Sequence, residues 1–174
     1  MEKEIKKVIE EIELCLENIK KEYFEILEKS LKENKKIFIC GVGRSGFVGR
    51  MFAMRLRQIG YESYVVGETI TPPSSKNDLV IFISYSGEKQ YNIELAKKIK
   101  KEGTKILVIS SQKKSSLSKI SDFKIDIPNK NSVQFKNSLF EQCVFIFLES
   151  FILYLKEKYK IIEKKFKKGH TNLE

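Results

Sequence analysis

Histidine and cysteine are scarce in this sequence, whose 174 residues include one histidine, His170, and three cysteines, Cys15, Cys40 and Cys143. A single histidine excludes a histidine-rich metal site within one chain. The cysteines are odd in number, widely separated and set in apolar stretches, which argues against a disulfide or zinc framework. They are typical of small core residues in a reduced, cytoplasmic protein.

A long hydrophobic run is also missing. The longest apolar stretch, residues 143–155, is interrupted by Glu149 and Ser150 and is too short to span a bilayer. The N-terminus is charged from Glu2 onward, so we expect no signal peptide. The chain contains no internal repeat or low-complexity segment, and we expect no membrane association.

Acidic residues are fewer than basic ones, 23 against 33, and the formal net charge is +10. Such a charge attracts nucleic acid or small anions through its long-range field. The lysines are dispersed among glutamates, however, and form neither a compact basic run nor a basic surface with interleaved aromatic residues. We therefore expect a solvated, lysine-rich surface and no nucleic-acid partner.

Length and composition predict a single domain over residues 1–174. Hydrophobic residues make up 41% of the chain and charged residues 32%, which is enough for one core without disorder. We divide the domain into a helical segment (1–34), an α/β core (35–128) and C-terminal helices with a tail (129–174). Helical spacing of apolar residues from Ile5 to Leu31 predicts one long amphipathic helix or two joined helices. Packing on the same domain and contact with another subunit explain this segment equally well.

The chain is organised around residues 37–50, which read IFICGVGRSGFVGR. The apolar run over 37–40 is typical of a strand covered on both faces, three glycines follow it, and helical spacing resumes over 47–59. The first N–H groups of a helix lack internal partners and the helix dipole is positive there, so this turn favours an anion. Gly43 allows a tight turn, Arg44 adds a positive fork, and Ser45 either caps the helix or donates to a phosphate oxygen.

Two other interpretations of this turn stay open. GVGRSG has the glycine spacing of a dinucleotide fingerprint, but the acidic residue expected at the end of the second strand is missing, since Glu68 comes only after Gly67. A lysine of the Walker type is also missing. A dinucleotide site is therefore not favoured, and a strand followed by glycines also marks a tight turn without a ligand.

Strand and helix patterns alternate through the core, which predicts a parallel sheet covered on both faces with right-handed crossovers. A second turn rich in hydroxyl groups, residues 84–89, follows the third strand. Ligands in such sheets bind beyond the carboxyl ends of the strands, so Ser45, Ser84 and Ser86 together predict an anion site at one edge. The alternative is that these serines only cap helices. The predicted strands cover residues 37–40, 63–66, 79–83, 106–109 and 123–127.

The C-terminal part begins with a helix predicted over residues 138–159. It is apolar on nearly every side, which suits burial in a core or between subunits. Glu141 lies near its start, where the helix dipole favours an ionised carboxylate; ordinary helix charge and catalysis both explain this residue. A basic amphipathic segment, residues 161–168, leads to Gly169 and His170, and a tail of this kind is commonly frayed.

Six motifs lie in order along the chain: GVGRSG at 41–46, FAMRL at 52–56, VGETITP at 66–72, ISYSGE at 83–88, LFE at 139–141 and HTNLE at 170–174. Together they resemble the 6-phospho-3-hexuloisomerases, a family of sugar isomerase (SIS) domain enzymes of the ribulose monophosphate pathway. The combination of VGETITP with a terminal histidine motif is specific within SIS domains. The resemblance covers residues 35–174, and the N-terminal helical segment agrees only in type.

The resemblance implies an SIS-type α/β fold, flavodoxin-like or Rossmann-like, in which five parallel strands lie between helices. It implies a homo-oligomer, usually a tetramer with sites at subunit boundaries. The implied activity is that of a keto-sugar phosphate isomerase, an intramolecular oxidoreductase. Such an enzyme interconverts D-arabino-hex-3-ulose 6-phosphate and D-fructose 6-phosphate without a metal or another cofactor.

The resemblance also assigns roles to residues, and the chemistry requires these residue types. Removing the C2 proton and passing through an enediol needs a base, and an imidazole titrates near neutral pH and moves protons between oxygens. A held phosphate keeps the reacting carbons aligned with that base. The resemblance implies that Ser45, Ser84 and Ser86 bind the phosphate or the sugar. It implies that Gly43, Arg44 and Gly87 shape the pocket, and that Glu141 and His170 are the acid–base residues.

Three departures from the family pattern border this pocket. Tyr85 stands where the family usually has a glycine, which predicts a narrower phosphate turn. Lys89 replaces the usual threonine and brings an ammonium group that can meet phosphate. Asn137 and Ser138 replace the usual Gly and Thr before the LFE motif. These departures leave the exact substrate open, so an isomerase for another phosphosugar is one alternative. A non-catalytic SIS module that senses a sugar phosphate is a second, separate alternative.

Overall fold

The computed structural model of the protein describes residues 1–128 and 132–160. Five strands form one parallel sheet in the order β2-β1-β3-β4-β5, and the helices of the described residues flank it, which confirms the predicted α/β fold. This strand order is that of a flavodoxin-like doubly wound sheet. The elements are α1 (Glu2–Leu16), α2 (Glu22–Lys32), β1 (Lys36–Gly41), α3 (Arg44–Gln58), β2 (Glu62–Val65), β3 (Leu79–Ile83), α4 (Gln90–Lys101), β4 (Lys105–Ser110), α5 (Ser116–Ile120), β5 (Phe123–Asp126) and α6 (Ser138–Lys158).

The sheet separates two hydrophobic cores, because successive side chains of a strand point to opposite faces. Ile37 and Ile39 of β1 face the larger core, which α1, α2, α3 and α6 cover. Phe38 and Cys40 face the smaller core beneath α4 and α5. β3 is buried along its whole length. Burial on both faces explains why the central strands are continuous apolar runs rather than alternating ones.

The longest described helix, α6, has 21 residues. By length and composition alone the whole helix could cross a membrane, although the apolar run 143–155 within it is shorter. Half of the residues in its most apolar 18-residue stretch are buried inside the domain. The helix packs against α1 and α3. Phe140, Cys143 and Phe151 lie wholly within the larger core. The predicted burial of this helix in a core is confirmed.

Several element boundaries differ from those that the sequence predicts. The N-terminal segment forms two helices, which is the second of the two predicted alternatives. α3 begins at Arg44, three residues earlier than predicted, so Gly43 occupies the N-cap and no side chain caps the helix. The alternative in which Ser45 caps it is therefore wrong. The serine-rich stretch after β4 forms an unpredicted short helix, α5, which Ser115 and Ser118 cap reciprocally.

The three cysteines are free and buried, as predicted. Burial raises the pKa of the Cys40 thiol to about 12, so this thiol stays protonated and is a poor nucleophile. Cys15 donates a hydrogen bond to the carbonyl oxygen of Pro128, with Sγ and O 2.8 Å apart. This contact ties α1 to the segment after β5. The predicted basic segment over residues 161–168 lies outside the described residues.

A buried carboxylate, that of Glu28, joins α2 to the end of α6. Its oxygens accept hydrogen bonds from Lys158 (2.7 Å), Tyr154 (2.8 Å) and Tyr159, and Lys32 lies 3.0 Å away. Burial by itself would raise the pKa of Glu28, but the hydrogen bonds from two lysines and two tyrosines outweigh it and lower the pKa from 4.5 to about 2. The folded state therefore favours the ionised form of Glu28 more strongly than the unfolded chain does.

We expect Glu28→Gln to lower the free energy of unfolding at pH 7 by on the order of 3 kcal/mol. Because the folded pKa lies below the unfolded one, the stabilisation is complete above pH 4.5 and is lost as the pH falls towards 2. The variant should lack this part of the acid dependence. Urea unfolding between pH 2 and pH 7 measures both effects.

The matched control is Glu33→Gln, because Glu33, the C-cap residue of α2, forms an exposed pair with Lys29 at 3.8 Å. An exposed pair of this kind contributes about 0–1 kcal/mol. Identical acid unfolding of Glu28→Gln and the wild-type protein would contradict the assignment.

Candidate active site

The candidate site lies at the edge of the sheet where β1 and β3 end. These two strands are parallel neighbours, and Gly41 pairs with Ile83 across them. The turns that follow, residues 41–45 (the first turn) and residues 84–89 (the second turn), therefore start side by side, roughly 5 Å apart. The prediction that both turns share one edge of the sheet is confirmed.

The first turn converts β1 directly into α3. Gly43 has φ +62° and ψ −134°, a conformation that glycine adopts readily and other residues rarely do. Its carbonyl oxygen accepts hydrogen bonds from the N–H groups of Gly46 (2.9 Å) and Phe47 (3.3 Å), which start the helix. Ser45 is buried in the first helical turn, where backbone N–H groups have no partners within the helix. This turn therefore presents a hydroxyl group and the positive end of α3 at one place.

Hydrogen bonds to its own serine hydroxyls stabilise the second turn. The Ser84 hydroxyl accepts from the Gly87 N–H at 3.2 Å, and the Ser86 hydroxyl accepts from the Glu88 N–H at 3.2 Å. Gly87 has φ +66°, which again suits glycine. Lys89 ends the turn as the N-cap residue of α4. The second turn, like the first, leads into the positive end of a helix.

A third turn, residues 110–116, holds the second turn in place, and the sequence did not predict this role. The hydroxyls of Ser110 and Ser111 both donate to the Tyr85 carbonyl oxygen at 3.0 Å. Ser115 packs so closely that a Cβ added at Gly87 would lie 2.2 Å from its Oγ. The available signal was the run of serines after the fourth strand, at the same edge of the sheet as the other two turns.

Glu141 and Arg44 form an ion pair that the sequence also did not predict. They are 97 residues apart in the chain, and the Arg44 Nε lies 2.7 Å from the Glu141 Oε2. The Glu141 side chain is only 11% exposed, whereas that of Arg44 is 64% exposed. Both line a cavity of about 330 Å³, together with Phe47, Val48, Met51, Gln142 and Phe145. We call this the ion-pair cavity.

Tyr85 connects the second turn to α6. Its ring packs edge to face on the ring of Phe140, with centroids 5.6 Å apart and an angle of 74° between the planes. Phe140 precedes Glu141 in the first turn of α6. Adjacent residues of α6 therefore contact the two turns, Phe140 through Tyr85 and Glu141 through Arg44.

Asn137 and Ser138, which precede the LFE motif, lie at the start of α6. Asn137 is the N-cap residue of α6, and the Ser138 hydroxyl donates to the Phe135 carbonyl oxygen at 2.8 Å. His170 lies outside the described residues, so its role as an acid–base group stays a prediction. Within residues 1–128 and 132–160, no cluster of three or more His, Cys, Asp or Glu side chains is arranged to hold a metal ion.

Comparison with known proteins identifies the family. The family model of the SIS domain matches residues 30–148. This chain belongs to the SIS domain family. The matched residues include both turns, the third turn and the first turn of α6, so the whole candidate site apart from the tail lies within the SIS domain. The family resemblance of the sequence motifs is confirmed.

Two curated relatives in this family are both called 3-hexulose-6-phosphate isomerase. The one from Methanocaldococcus jannaschii is 40% identical over 140 residues, which cover 80% of this chain and 77% of the relative. The one from Bacillus subtilis is 32% identical and covers 98% of this chain and 97% of the relative. A solved structure of a hypothetical protein from Methanococcus jannaschii, for which 3-hexulose-6-phosphate isomerase function was inferred, is 36% identical, with a TM-score of 0.88 and 99% of each chain covered.

The two turn glycines should respond differently to the same substitution. A Cβ at Gly43 would meet nothing within 4 Å, so we expect Gly43→Ala to cost only the backbone strain, about 1–3 kcal/mol. Gly87→Ala should cost more and should weaken phosphate binding further, because its Cβ also collides with Ser115. Urea unfolding and calorimetric titration with inorganic phosphate measure the two effects. Equal losses in both variants would show that the third turn yields to the added methyl group.

Proposed function

We propose that this protein is a 3-hexulose-6-phosphate isomerase, which interconverts D-arabino-hex-3-ulose 6-phosphate and D-fructose 6-phosphate without a metal. The observation that carries this proposal is the position of Glu141, a nearly buried carboxylate held where the first and second turns of an SIS domain meet α6. The names of relatives that match this chain over most of its length support the same reaction. A carboxylate beside an anion site is the arrangement that proton transfer on a phosphosugar needs.

The phosphate binds at the two turns in this proposal. The helix N-termini of α3 and α4 direct unpaired N–H groups and positive dipole ends towards it. Hydroxyl groups add donors, and an ammonium group adds charge. The residues that we assign to the substrate and its phosphate are Ser45, Ser84, Ser86 and Lys89, with Gly43, Arg44 and Gly87 shaping the pocket.

Glu141 is the base in this proposal. Its carboxylate takes the proton from C2 of the hexulose, the C2–H electron pair becomes the C2–C3 double bond, and the C3 carbonyl oxygen takes a proton to give the enediol. The C2 hydroxyl then loses its proton to form the new carbonyl group, and Glu141 returns its proton to C3. His170 moves protons between the two oxygens, a task that suits an imidazole near neutral pH.

We also propose that the protein is a homo-oligomer, with the tetramer as the form that the family resemblance implies. Large apolar side chains are exposed along neighbouring faces of α3 and α6: Phe47, Met51, Met54, Phe145 and Leu153. Exposed apolar side chains grouped in this way are typical of an interface between proteins, and most soluble oligomers are symmetric assemblies of one chain. The ion-pair cavity opens among these side chains, so a second copy would cover it.

A cytoplasmic location is part of the same proposal. The cysteines in the described residues are free and buried, and unpaired cysteines are usual where thiols are kept reduced.

Glu141→Gln should lower kcat for fructose 6-phosphate formation by about 10²–10⁴-fold, because it removes the base. The control is Glu149→Gln on the same helix, where Glu149 pairs with Arg55 at 3.3 Å outside the cavity; its kcat should equal that of the wild-type protein. His170→Ala should fall between the two. Turnover is measured with EDTA present, and thermal melting confirms that each variant folds.

Full turnover by Glu141→Gln would remove the assignment of the base, and normal turnover by His170→Ala would remove the role proposed for His170. A wild-type protein that is stabilised by phosphosugars but does not isomerise the hexulose phosphate would instead be a sensor or an isomerase for another phosphosugar. Turnover that EDTA abolishes would contradict a metal-free reaction.

Leu153→Glu and Met54→Glu should reduce the mass of the assembly measured by light scattering, because each places a charge on an exposed apolar face. Lys97→Glu on α4, across the sheet from α3 and α6, is the control and should leave the mass unchanged. A wild-type protein that is monomeric at micromolar concentration would contradict the proposed homo-oligomer.

A further inference from the structure

We propose that Arg44 serves the reaction by aiming Glu141, and that its guanidinium group positions this carboxylate instead of binding the phosphate of the substrate. The inference rests on the proposed function, in which Glu141 is the base. It changes the role that the family resemblance implies for Arg44, from a residue that shapes the phosphate pocket to a positioning residue for the base.

The first step of the argument is the geometry of the pair. The Arg44 Nε donates to the Glu141 Oε2 at 2.7 Å, the length of a charge-assisted hydrogen bond. Among the described residues, no hydrogen bond is donated to the Glu141 Oε1. One oxygen of the carboxylate is therefore fixed, and the other has its lone pairs available for a proton. This is the arrangement that an aimed base requires.

The second step concerns the elements that carry the pair. Arg44 is the first residue of the 15-residue helix α3, directly after the turn that Gly43 sets with its positive φ. Glu141 lies in the first turn of α6, whose neighbours Leu139, Phe140 and Cys143 are buried in the larger core. Two packed helices therefore hold the two charged groups, and a site on rigid elements keeps its geometry better than one on loops.

The third step concerns the walls of the ion-pair cavity. Four of its lining side chains, Phe47, Val48, Met51 and Phe145, are apolar, and Gln142 is neutral. Arg44 is the cation among these lining residues. If Arg44 turned to the phosphate, the nearly buried Glu141 carboxylate would lose its charged partner, which is costly for a group with little access to water. The serine turns and two helix N-termini already supply donors for the phosphate.

The test compares Arg44→Met with Arg44→Lys. We expect Arg44→Met to lower kcat by about 100-fold, because a misplacement of the base by about 1 Å reduces the rate by this factor. KM and the inhibition constant of inorganic phosphate should change by less than about threefold. Arg44→Lys should recover only part of kcat, because an ammonium group lacks the planar fork of a guanidinium. Arg50→Met is the control, because Arg50 lies on the same helix and pairs with Glu68 outside the cavity; its kinetics should match the wild-type protein.

The decisive measurement is made in the Glu141→Gln background. If Arg44 acts through Glu141, adding Arg44→Met to Glu141→Gln should not lower kcat any further, because groups that act as one unit are not additive. A further loss of about 10-fold or more, or inhibition by inorganic phosphate that weakens by that factor in Arg44→Met, would overturn the proposal and make Arg44 a ligand of the substrate.

Failure of the proposed function gives a different result, because the wild-type protein would then not turn over the hexulose phosphate at all. The role of Arg44 can still be judged from a crystal structure of the Arg44→Met protein. Displacement of the Glu141 carboxylate by about 1 Å or more would support the positioning role. A carboxylate that keeps its place without Arg44 would overturn it.

Discussion

The candidate site depends on the register between two parallel strands. Gly41 is paired with Ile83 in the hydrogen-bonded ladder of β1 and β3, so the two turns that follow begin at the same height at one edge of the sheet. A shift of one residue would move every side chain of a strand to the opposite face. That shift would exchange Ile37 and Ile39 with Phe38 and Cys40 between the two cores. Packing of the strand side chains in the two cores therefore sets the register. The register in turn determines where the two turns of the site begin.

The helix α6 converts this edge into a candidate active site. Its apolar residues require burial, and they are buried against α1, α3 and the sheet. That packing fixes the rotation of its first turn, so that Phe140 meets Tyr85 and Glu141 meets Arg44. The position of the candidate base is thus a consequence of how the hydrophobic core is filled. The Tyr85 ring fills the space between the second turn and α6.

The sequence predicts those features that local patterns determine. Continuous apolar runs identify the buried strands, and glycine and serine after β1 and β3 identify two turns at one edge. The pairing of Arg44 with Glu141 could not be predicted, because it joins residues 97 apart through helix packing that no local pattern encodes. The contact between Ser115 and Gly87 could not be predicted either, because a run of serines does not indicate which turn it packs against. The start of α3 was missed because a glycine N-cap leaves no side-chain signal.

The arrangement also resolves an electrostatic conflict within the proposed reaction. A phosphosugar and a carboxylate base are both negatively charged, and they repel each other when they are brought close together in one site. In the proposed function the N-termini of α3 and α4 and Lys89 balance the charge of the phosphate, while the Arg44 guanidinium pairs with Glu141. Separate cations let each anion keep its own partner when the substrate enters. In the proposed reaction the carboxylate base comes from α6 and pairs with Arg44 at the end of the first turn. Its charged partner is therefore a different group from Lys89 and the serine hydroxyls that we assign to the phosphate.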